Sequence, residues 1–522
     1  MSSTNSLNVF KGPDSVINYF NPDLQPPVPL VELPERLNPF RADNVRIYAK
    51  ILTALPAQNV KALPALNMLL HEPEAATKSI VEASSGSTAL SLSIIARILW
   101  NNSDVCAYIT NKKHPDQLKL LRFFGLQTSL YGGLAQQEPA DERGIMCRLK
   151  RLAKQDKKFC YLGQYDNSNN WKSHVRWTGP QILQQLPEIN VFCTTVGTGG
   201  SITGTGVYLK SKKPSVKVVG VCNVFGDPTP GPRHFPGFES SQFPWRETID
   251  TFETIASVDS YEASMRLSRE GIIAGPSSGE ALCGLIDYLQ KAKDSNKLHE
   301  LADSKTGEIS CVFICCDLPY PYLDNYFQKL GEDKFPAIHN KILLSCDLDK
   351  YDERWELDSK QAVGILSGRQ VAAQRTEPSI LCESRSCRRS IAFRRKFPCL
   401  GKPSCTSSPT SKVMILDLRQ NSDFTNAHIR SSRNSPLKSL TPTSGDIFAD
   451  SNVLHMFWTN LTAQFNKEAN SFCPKSFTLL VLCYDGETSR LATSILRAKG
   501  YLAFSVFGGF SALQAYDTDT EK

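Results

Sequence analysis

The sequence predicts an α/β protein in which parallel sheets are covered on both faces by helices, followed by a smaller α/β unit. Short apolar runs alternate with helical stretches from residue 46 to residue 330, which is typical of parallel sheets. The alternation stops near Phe335 and resumes at Val413. A length of 522 residues also exceeds one ordinary domain, so two or three domains are expected.

The predicted elements of the first part follow from short apolar runs and from helical periodicity. Residues 1–45 are rich in proline and asparagine and are predicted to form an arm with little regular structure. Strands are predicted at 46–50, 79–83, 105–110, 190–195, 216–222 and 310–316. Helices are predicted in the second half of 56–70, at 89–100 and 115–124, and near 139–154, 172–185, 260–270, 278–292 and 321–330.

Composition divides the chain into residues 1–335, a linker at 336–411 and a final unit at 412–520. Residues 336–411 lose periodicity and become basic and Ser/Pro-rich, which predicts a mostly disordered linker. Most of the net charge of +7 falls in residues 382–405, which contain seven basic residues and a single acidic one, Glu383. The remaining parts are close to neutral, which argues against nucleic-acid binding.

The chain has no apolar run of about twenty residues and no N-terminal targeting pattern, so the sequence predicts no membrane span and a cytoplasmic protein. The 16 cysteines are spread along the chain, many of them in apolar runs, which indicates buried thiols and not a disulfide framework. Because no C-x-x-C pair occurs, no metal site is predicted.

A glycine-rich loop, V-G-T-G-G-S-I-T-G-T-G at residues 196–206, follows a predicted strand and leads into a helix. Strand, glycine turn and helix start together form an anion-binding site, because free N–H groups face the ligand. The dinucleotide pattern fails at Ile202, and the P-loop pattern requires lysine where Thr205 stands. A compact phosphate monoester is the remaining candidate.

Five segments in the same order resemble the cysteine synthase and cystathionine β-synthase family. This family consists of pyridoxal-phosphate (PLP) enzymes of the tryptophan synthase β type, fold type II. The segments are N-V-K-A-L at 59–63, E-A-S-S-G-S-T-A at 82–89, G-Q-Y-D-N-S-N-N at 163–170, V-G-T-G-G-S-I-T-G at 196–204 and E-G-I-I-A-G-P-S-S-G at 270–279. The resemblance implies a two-lobed enzyme that binds PLP, acts on an amino acid and forms a homodimer.

The resemblance also implies roles for individual residues. Lys61 would carry the cofactor and act as the catalytic base. Ser277 would face the pyridine nitrogen, although it could instead cap the following helix. The cofactor would further be held by Ser87, Gly197, Thr198, Gly199, Gly200 and Ser201. The substrate carboxylate would be bound by Ser84, Ser85, Gly86, Thr88 and Gln164.

Two departures from the family pattern concern the substrate. The family's asparagine beside the phenolic oxygen of the cofactor is Ser87 here, and its aspartate and arginine after the lysine are Ala62 and Leu63. Both changes are compatible with PLP chemistry, because PLP itself supplies the electron sink. They leave the nucleophile open.

The expected reaction is β-replacement on O-acetylserine or O-phosphoserine through an aminoacrylate, with sulfide or a thiol as nucleophile. Three alternatives remain open at this point. The same intermediate could be trapped by an amine to form a C–N bond, or the reaction could stop at β-elimination. A cofactor-binding relic that serves as a scaffold for sulfur relay is the non-enzymatic alternative.

The C-terminal unit resembles a rhodanese domain. The resemblance rests on I-L-D-L-R at 415–419, D-F-T-N-A-H-I-R at 423–430, N-S-P-L at 434–437, V-L-C-Y-D-G-E-T-S-R at 481–490 and F-G-G-F at 507–510. It makes Cys483 the candidate catalytic thiol. A thiol ringed by loop N–H groups is predicted to have a lowered pKa, whereas Asp485 and Glu487 disfavour anionic sulfur donors. An inactive copy kept for docking is the alternative.

Overall fold

The computed structural model describes residues 7–84, 86–113, 115–133, 139, 141–346, 352–367, 412–442, 447–468, 474–516 and 520–521. The chain divides into two compact units, Met1–Pro336 and Ala337–Lys522. Each unit is built on parallel strands, which confirms the predicted α/β class. Among the helices of the described residues, none is both long and apolar enough to cross a membrane.

The first unit contains two sheets. Its strands in the described residues are β1 (Leu30–Glu32), β2 (Val45–Ile51), β3 (Ser79–Ala83), β4 (Val105–Thr110), β5 (Gln127–Tyr131), β6 (Phe159–Tyr161), β7 (Val191–Thr195), β8 (Lys217–Asn223), β9 (Thr251–Ile255) and β10 (Ile309–Cys315). One sheet has the order β1-β2-β10-β7-β8-β9 and is parallel except for β1, and the other has the order β5-β4-β3-β6 and is entirely parallel.

Helices connect these strands as the parallel arrangement requires. They are α1 (Ser15–Phe20), α2 (Ala62–Leu70), α3 (Ser87–Trp100), α4 (Pro115–Phe123), α5 (Ile145–Gln155), α6 (Ser168–Arg176), α7 (Thr178–Gln185), α8 (Gly200–Lys212), α9 (Pro236–Glu239), α10 (Ser257–Arg269), α11 (Pro276–Asp294) and α12 (Leu323–Leu330). The single helix predicted near 172–185 is two helices, with a break at Trp177.

The central strands β7 and β10 determine where the candidate active site lies. Every residue of β10 is buried, because this strand lies between β2 and β7 and is covered on both faces. Successive parallel strands end at one edge of a sheet, and loops at that edge form the binding crevice of open α/β folds. The glycine loop after β7 and the Cys316-Asp317 turn after β10 both lie at this edge.

The second unit has the parallel order β11-β16-β15-β12-β14 and a short antiparallel pair, β13-β17. Its strands in the described residues are β11 (Glu356–Leu357), β12 (Val413–Asp417), β13 (His428–Ile429), β14 (Ser432–Asn434), β15 (Thr478–Leu482), β16 (Leu502–Val506) and β17 (Thr520–Glu521). Its helices are α13 (Ser359–Leu366), α14 (Asn421–Asn426), α15 (Ser451–Glu468), α16 (Glu487–Ala498) and α17 (Gly509–Ala515).

Within the predicted, mostly disordered linker at 336–411, residues 352–367 form regular structure. There, β11 pairs with β16, and α13 begins with a capping box formed by Asp358 and Gln361. Leu357 and Ala362 are buried because they pack in the core of the second unit. Residues 368–411, which include the basic segment, lie outside the described residues, so disorder there stays a prediction.

Candidate active site

The glycine loop that leads from β7 into α8 has no room for a side chain at Gly199 and Gly200, among others. Gly199 has φ +83°, and a Cβ built on it would lie 2.3 Å from the Phe238 ring. A Cβ on Gly200 would lie 2.0 Å from Asn170 Oδ1. The backbone therefore comes close to its surroundings, and the N-terminus of the 13-residue helix α8 opens at the loop.

Polar groups around this loop are suited to a phosphate. Thr198 Oγ1 accepts hydrogen bonds from Gly200 N at 3.2 Å and from Asn170 Nδ2 at 3.1 Å. Ser201 Oγ is buried and has no hydrogen-bond partner among the described residues. A buried hydroxyl without a partner is costly, so a ligand oxygen at the helix N-terminus would satisfy it. The loop therefore offers the groups that a phosphate ligand requires.

Lys61 immediately precedes α2 and is held in place through its backbone. Its N–H donates to Asn59 Oδ1 at 2.9 Å, and Ser91 Oγ donates to the same oxygen at 3.1 Å. Val60 N donates to Cys316 O at 2.7 Å, which ties the lysine segment to the end of β10. Lys61 is thereby brought to the sheet edge that carries the glycine loop.

Cys316 links Lys61 to Ser277. Burial raises the pKa of the Cys316 thiol, while the positive charge of Lys61 and the hydroxyls of Ser277 and Thr195 act in the opposite direction. Ser277 is 4% exposed and is the second residue of α11, whose N-cap is Gly275. Ser277 therefore does not cap the helix, which removes the structural alternative considered for it.

Asp317 is a residue that the sequence analysis missed. Burial raises the pKa of its carboxyl group to about 6, although the hydrogen bond from Tyr322 and the charge of Lys61 both lower it. Tyr322 OH donates to Oδ2 at 2.6 Å, and Oδ1 has no partner among the described residues. The available signal was an acidic residue two positions after a mostly apolar strand.

The predicted substrate loop joins β3 to α3. Ser84 Oγ accepts from Gly86 N at 3.2 Å and from Ala89 N at 3.4 Å, so its hydroxyl already serves the helix start. Ser87 is the first residue of α3 and is partly exposed. Ser85 lies outside the described residues.

Thr88 and Gln164 are brought together by the fold. Thr88 Oγ1 donates to Gln164 Oε1 at 2.7 Å, and Gln164 Nε2 donates to Ala83 O at 3.0 Å. Asn170 Nδ2 donates to Gln164 O at 2.6 Å as well as to Thr198 Oγ1. Asn170 thus connects Gln164 to the glycine loop, a role that sequence reasoning had not assigned to it.

Cys483 lies between β15 and α16, as predicted for a strand-end thiol. Its Sγ accepts from Gly486 N at 3.1 Å and from Ser489 N at 3.3 Å, and lies 3.5 Å from Asp485 Oδ1. The prediction of a lowered pKa is wrong. Burial raises the pKa of Cys483 to about 11 and outweighs the Ser489 and Gly486 donors, and the Asp485 charge raises it further.

In the described residues, no group of three or more His, Cys, Asp or Glu side chains is placed to hold a metal ion. Cys382, Cys387, Cys399 and Cys405 of the basic segment lie outside the described residues. The fold thus defines an α/β protein in which a glycine loop at a helix N-terminus and the segment of Lys61 lie at one sheet edge.

Comparisons with known proteins assign the chain to a family. The family model for pyridoxal-phosphate dependent enzymes matches residues 23–300, and the model for rhodanese-like domains matches residues 407–516. The N-(2-amino-2-carboxyethyl)-L-glutamate synthase of Ralstonia nicotianae is 30% identical over 282 residues, which are 51% of this chain and 80% of that protein. The cysteine synthase of Aquifex aeolicus is 30% identical over 279 residues, which are 52% of this chain and 83% of that protein.

Among solved structures, a hydrogen sulfide-producing enzyme of Fusobacterium nucleatum aligns with a TM-score of 0.48 and 25% identity, over 58% of this chain and 96% of its own. The chain belongs to the pyridoxal-phosphate dependent enzymes. Within them it is a β-replacement enzyme of the cysteine synthase family, and it carries a C-terminal rhodanese-like domain.

Proposed function

We propose that residues 1–335 catalyse β-replacement on an O-activated serine, O-acetylserine or O-phosphoserine, with sulfide or a thiol as nucleophile. In this reaction the Cβ–O bond breaks, acetate or phosphate leaves, and a Cβ–S bond forms as the nucleophile gives up its proton. The observation that carries the proposal is the grouping of Lys61, Ser277 and the glycine loop at one sheet edge. PLP, when bound, supplies an electron sink that weakens the Cα–H bond of the amino acid.

The side chains divide the work between cofactor and substrate. Lys61 would hold the cofactor and move the Cα proton, and Gly197, Thr198, Gly199, Gly200 and Ser201 would bind its phosphate. Ser277 would face the ring nitrogen, and a hydroxyl there leaves that nitrogen without a proton, which favours β-elimination and β-replacement over transamination. Ser87 would face the phenolic oxygen of the cofactor.

The substrate carboxylate would be bound where Ser84, Gly86, Thr88 and Gln164 converge at the start of α3. Hydroxyl and amide donors, together with the positive end of a 14-residue helix, favour a carboxylate at this point. Ser84 and Thr88 already make internal hydrogen bonds, so the carboxylate would compete for groups that the fold has positioned.

Amine capture is the second candidate, because the relative from Ralstonia nicotianae is named for a product that contains a C–N bond. The deciding experiment incubates the full chain with O-acetylserine or O-phosphoserine and a panel of sulfide, thiols and amino acids. Mass spectrometry of the products then identifies the nucleophile. A protein that binds PLP and releases only pyruvate and ammonia would contradict both candidates and would show β-elimination.

We also propose that Cys483 accepts sulfane sulfur from a persulfide. The S–S bond of the donor breaks, the donor leaves as a thiolate, and a new S–S bond forms on Sγ. The two backbone N–H groups at Sγ support this, since they would stabilise the resulting anion. We further propose a homodimer, as the family resemblance implies. Light scattering of the purified full chain tests the dimer.

A further inference from the structure

Arg233 is a buried cation beside the candidate active site. It follows β8 and is 5% exposed. Its backbone is fixed on both sides, because Arg233 N donates to Val196 O at 2.8 Å and Asn223 N donates to Arg233 O at 2.9 Å. Val196 directly precedes the glycine loop, so the arginine is anchored to the segment that forms the phosphate cradle.

The guanidinium has only a neutral partner in the described part of the chain. Nε and Nη2 lie 3.3 and 3.0 Å from Tyr165 OH, and Cζ lies 4.8 Å from the centre of the Tyr165 ring. Nη1 is buried and has no acceptor among the described residues. Carboxylates of the described residues form no ion pair with Arg233, and Asp166 is paired with Lys150 instead. A buried, uncompensated charge is unfavourable, so the arginine is set up to receive an anion.

A cavity shares Tyr165 with this arginine, although Arg233 itself does not line it. It measures about 230 Å³ and is lined by Tyr165 together with Gly197 and Thr198 of the glycine loop. Met146 and Phe238 give it largely apolar walls. Tyr165 is thus shared by the cavity and by Arg233, and it follows Gln164, which belongs to the proposed carboxylate site. The cavity is therefore adjacent to the place where the reacting amino acid would sit.

We propose that Arg233, supported by Tyr165, is an oxyanion subsite for a substrate group other than the α-carboxylate. The planar guanidinium offers paired donors that match a phosphate or a carboxylate. The anion can come from two sources, the phosphate of O-phosphoserine or a carboxylate on the incoming nucleophile. The inference rests on the proposed β-replacement and names the class of its substrates.

The test compares matched substrates on the wild-type holoenzyme and on Arg233→Gln. O-Phosphoserine is compared with O-acetylserine, both with sulfide, and mercaptoacetate is compared with 2-mercaptoethanol, both with O-acetylserine. We expect kcat/KM to fall about 10- to 100-fold more for the anionic member of one pair than for its uncharged counterpart. The pair that responds identifies the source of the anion.

Arg246→Gln is the matched control, because Arg246 is an exposed arginine stacked 4.3 Å from the Trp245 ring in the same region. Arg246→Gln should leave the ratio of kcat/KM between the anionic and the uncharged member of each substrate pair unchanged. Arg233→Lys should recover part of the kcat/KM lost in Arg233→Gln, since lysine keeps the positive charge but lacks the paired donors of the guanidinium. Equal losses on all substrates in Arg233→Gln would show a structural role and overturn the inference.

A binding measurement separates this inference from the proposed function. Inorganic phosphate and glutarate are titrated by calorimetry into the wild-type holoenzyme and into Arg233→Gln. If the wild type turns over no serine derivative yet binds one of these anions through Arg233, β-replacement fails and the subsite stands. If neither anion binds more weakly to the variant, the subsite is refuted.

Discussion

Thr88 Oγ1 donates a 2.7 Å hydrogen bond to Gln164 Oε1, and through it two separate segments of the candidate substrate site are held together. Both side chains are buried. This contact orients the Gln164 amide, because its oxygen is engaged by Thr88 while its nitrogen donates to Ala83 O. The donors left for a substrate carboxylate depend on this orientation.

Replacing Thr88 by valine should therefore weaken substrate binding. The variant keeps the shape of the side chain but removes its hydroxyl, and a hydrogen bond between two neutral groups such as these contributes about 0.5–1.5 kcal/mol. We expect KM for the serine derivative to rise about two- to tenfold in steady-state kinetics, whereas Thr88→Ser should stay close to wild type. An unchanged KM in Thr88→Val would place the carboxylate elsewhere.

Lys61→Ala should abolish the attachment of PLP. The purified wild-type protein should be yellow, and the variant should be colourless or should lose the cofactor on gel filtration, as measured by visible absorbance. Lys78→Ala serves as the control, because Lys78 is a surface residue paired with Glu74. Wild-type protein that stays colourless with ample PLP would contradict the prediction.

Ser87→Ala should lower turnover while the cofactor stays bound. Loss of one hydrogen bond to a charged oxygen corresponds to roughly a ten- to a hundredfold decrease in kcat. Ser93→Ala, on the same helix, is the matched control because Ser93 Oγ has no partner in the described residues. An equal kcat in Ser87→Ala and wild type would mean that another group serves the phenolic oxygen.

Glu82 should make the first unit less stable as pH rises. The carboxyl group is buried, Oε2 accepts from Gly163 N at 3.0 Å, and burial raises its pKa to about 8 from 4.5. A raised carboxyl pKa means that the folded state holds its proton more tightly than the unfolded state. The stabilisation is complete below pH 4.5 and is lost as pH rises towards 8.

Glu82→Gln removes this dependence, because the amide still accepts a hydrogen bond but does not titrate. Each pKa unit corresponds to about 1.4 kcal/mol, so wild type should lose several kcal/mol of unfolding free energy relative to the variant between pH 5 and 8. Denaturant titrations at several pH values measure it, with the exposed Glu74→Gln as control. Parallel curves for wild type and Glu82→Gln would refute the prediction.

Cys483 should react faster as pH rises towards its pKa of about 11. Peptide mapping of the full chain after iodoacetamide treatment measures the rate at this one thiol. Asp485→Asn should increase the rate at pH 8 about three- to tenfold, since it removes a nearby negative charge that disfavours the thiolate. Glu487→Gln, at the start of α16, is the control and should have a smaller effect, because Glu487 pairs with Arg490. A rate at Cys483 that is already maximal at pH 7 would contradict a raised pKa.

Much of the architecture could be predicted from the sequence, because buried parallel strands consist of short runs of apolar residues. Strands predicted at 79–83 and 105–110 occur at those residues, and those predicted at 190–195 and 310–316 shift by only one residue. Strands β5 and β6 were missed because Gln127–Tyr131 contains polar residues and Phe159–Tyr161 is only three residues long. Their strand conformation depends on pairing with β4 and β3.

The order of the glycine loop, the lysine segment and the serine-rich loops along the chain determined the family, because each motif encodes a local backbone shape or a reactive group. Only the tertiary structure decided which neighbours surround those groups. It added β11 and α13 to the second unit and buried Cys483 deeply enough to reverse the predicted pKa shift. It also placed Arg233 against Tyr165, residues 68 positions apart. Burial and charge compensation depend on residues distant in sequence, so a local pattern cannot specify them.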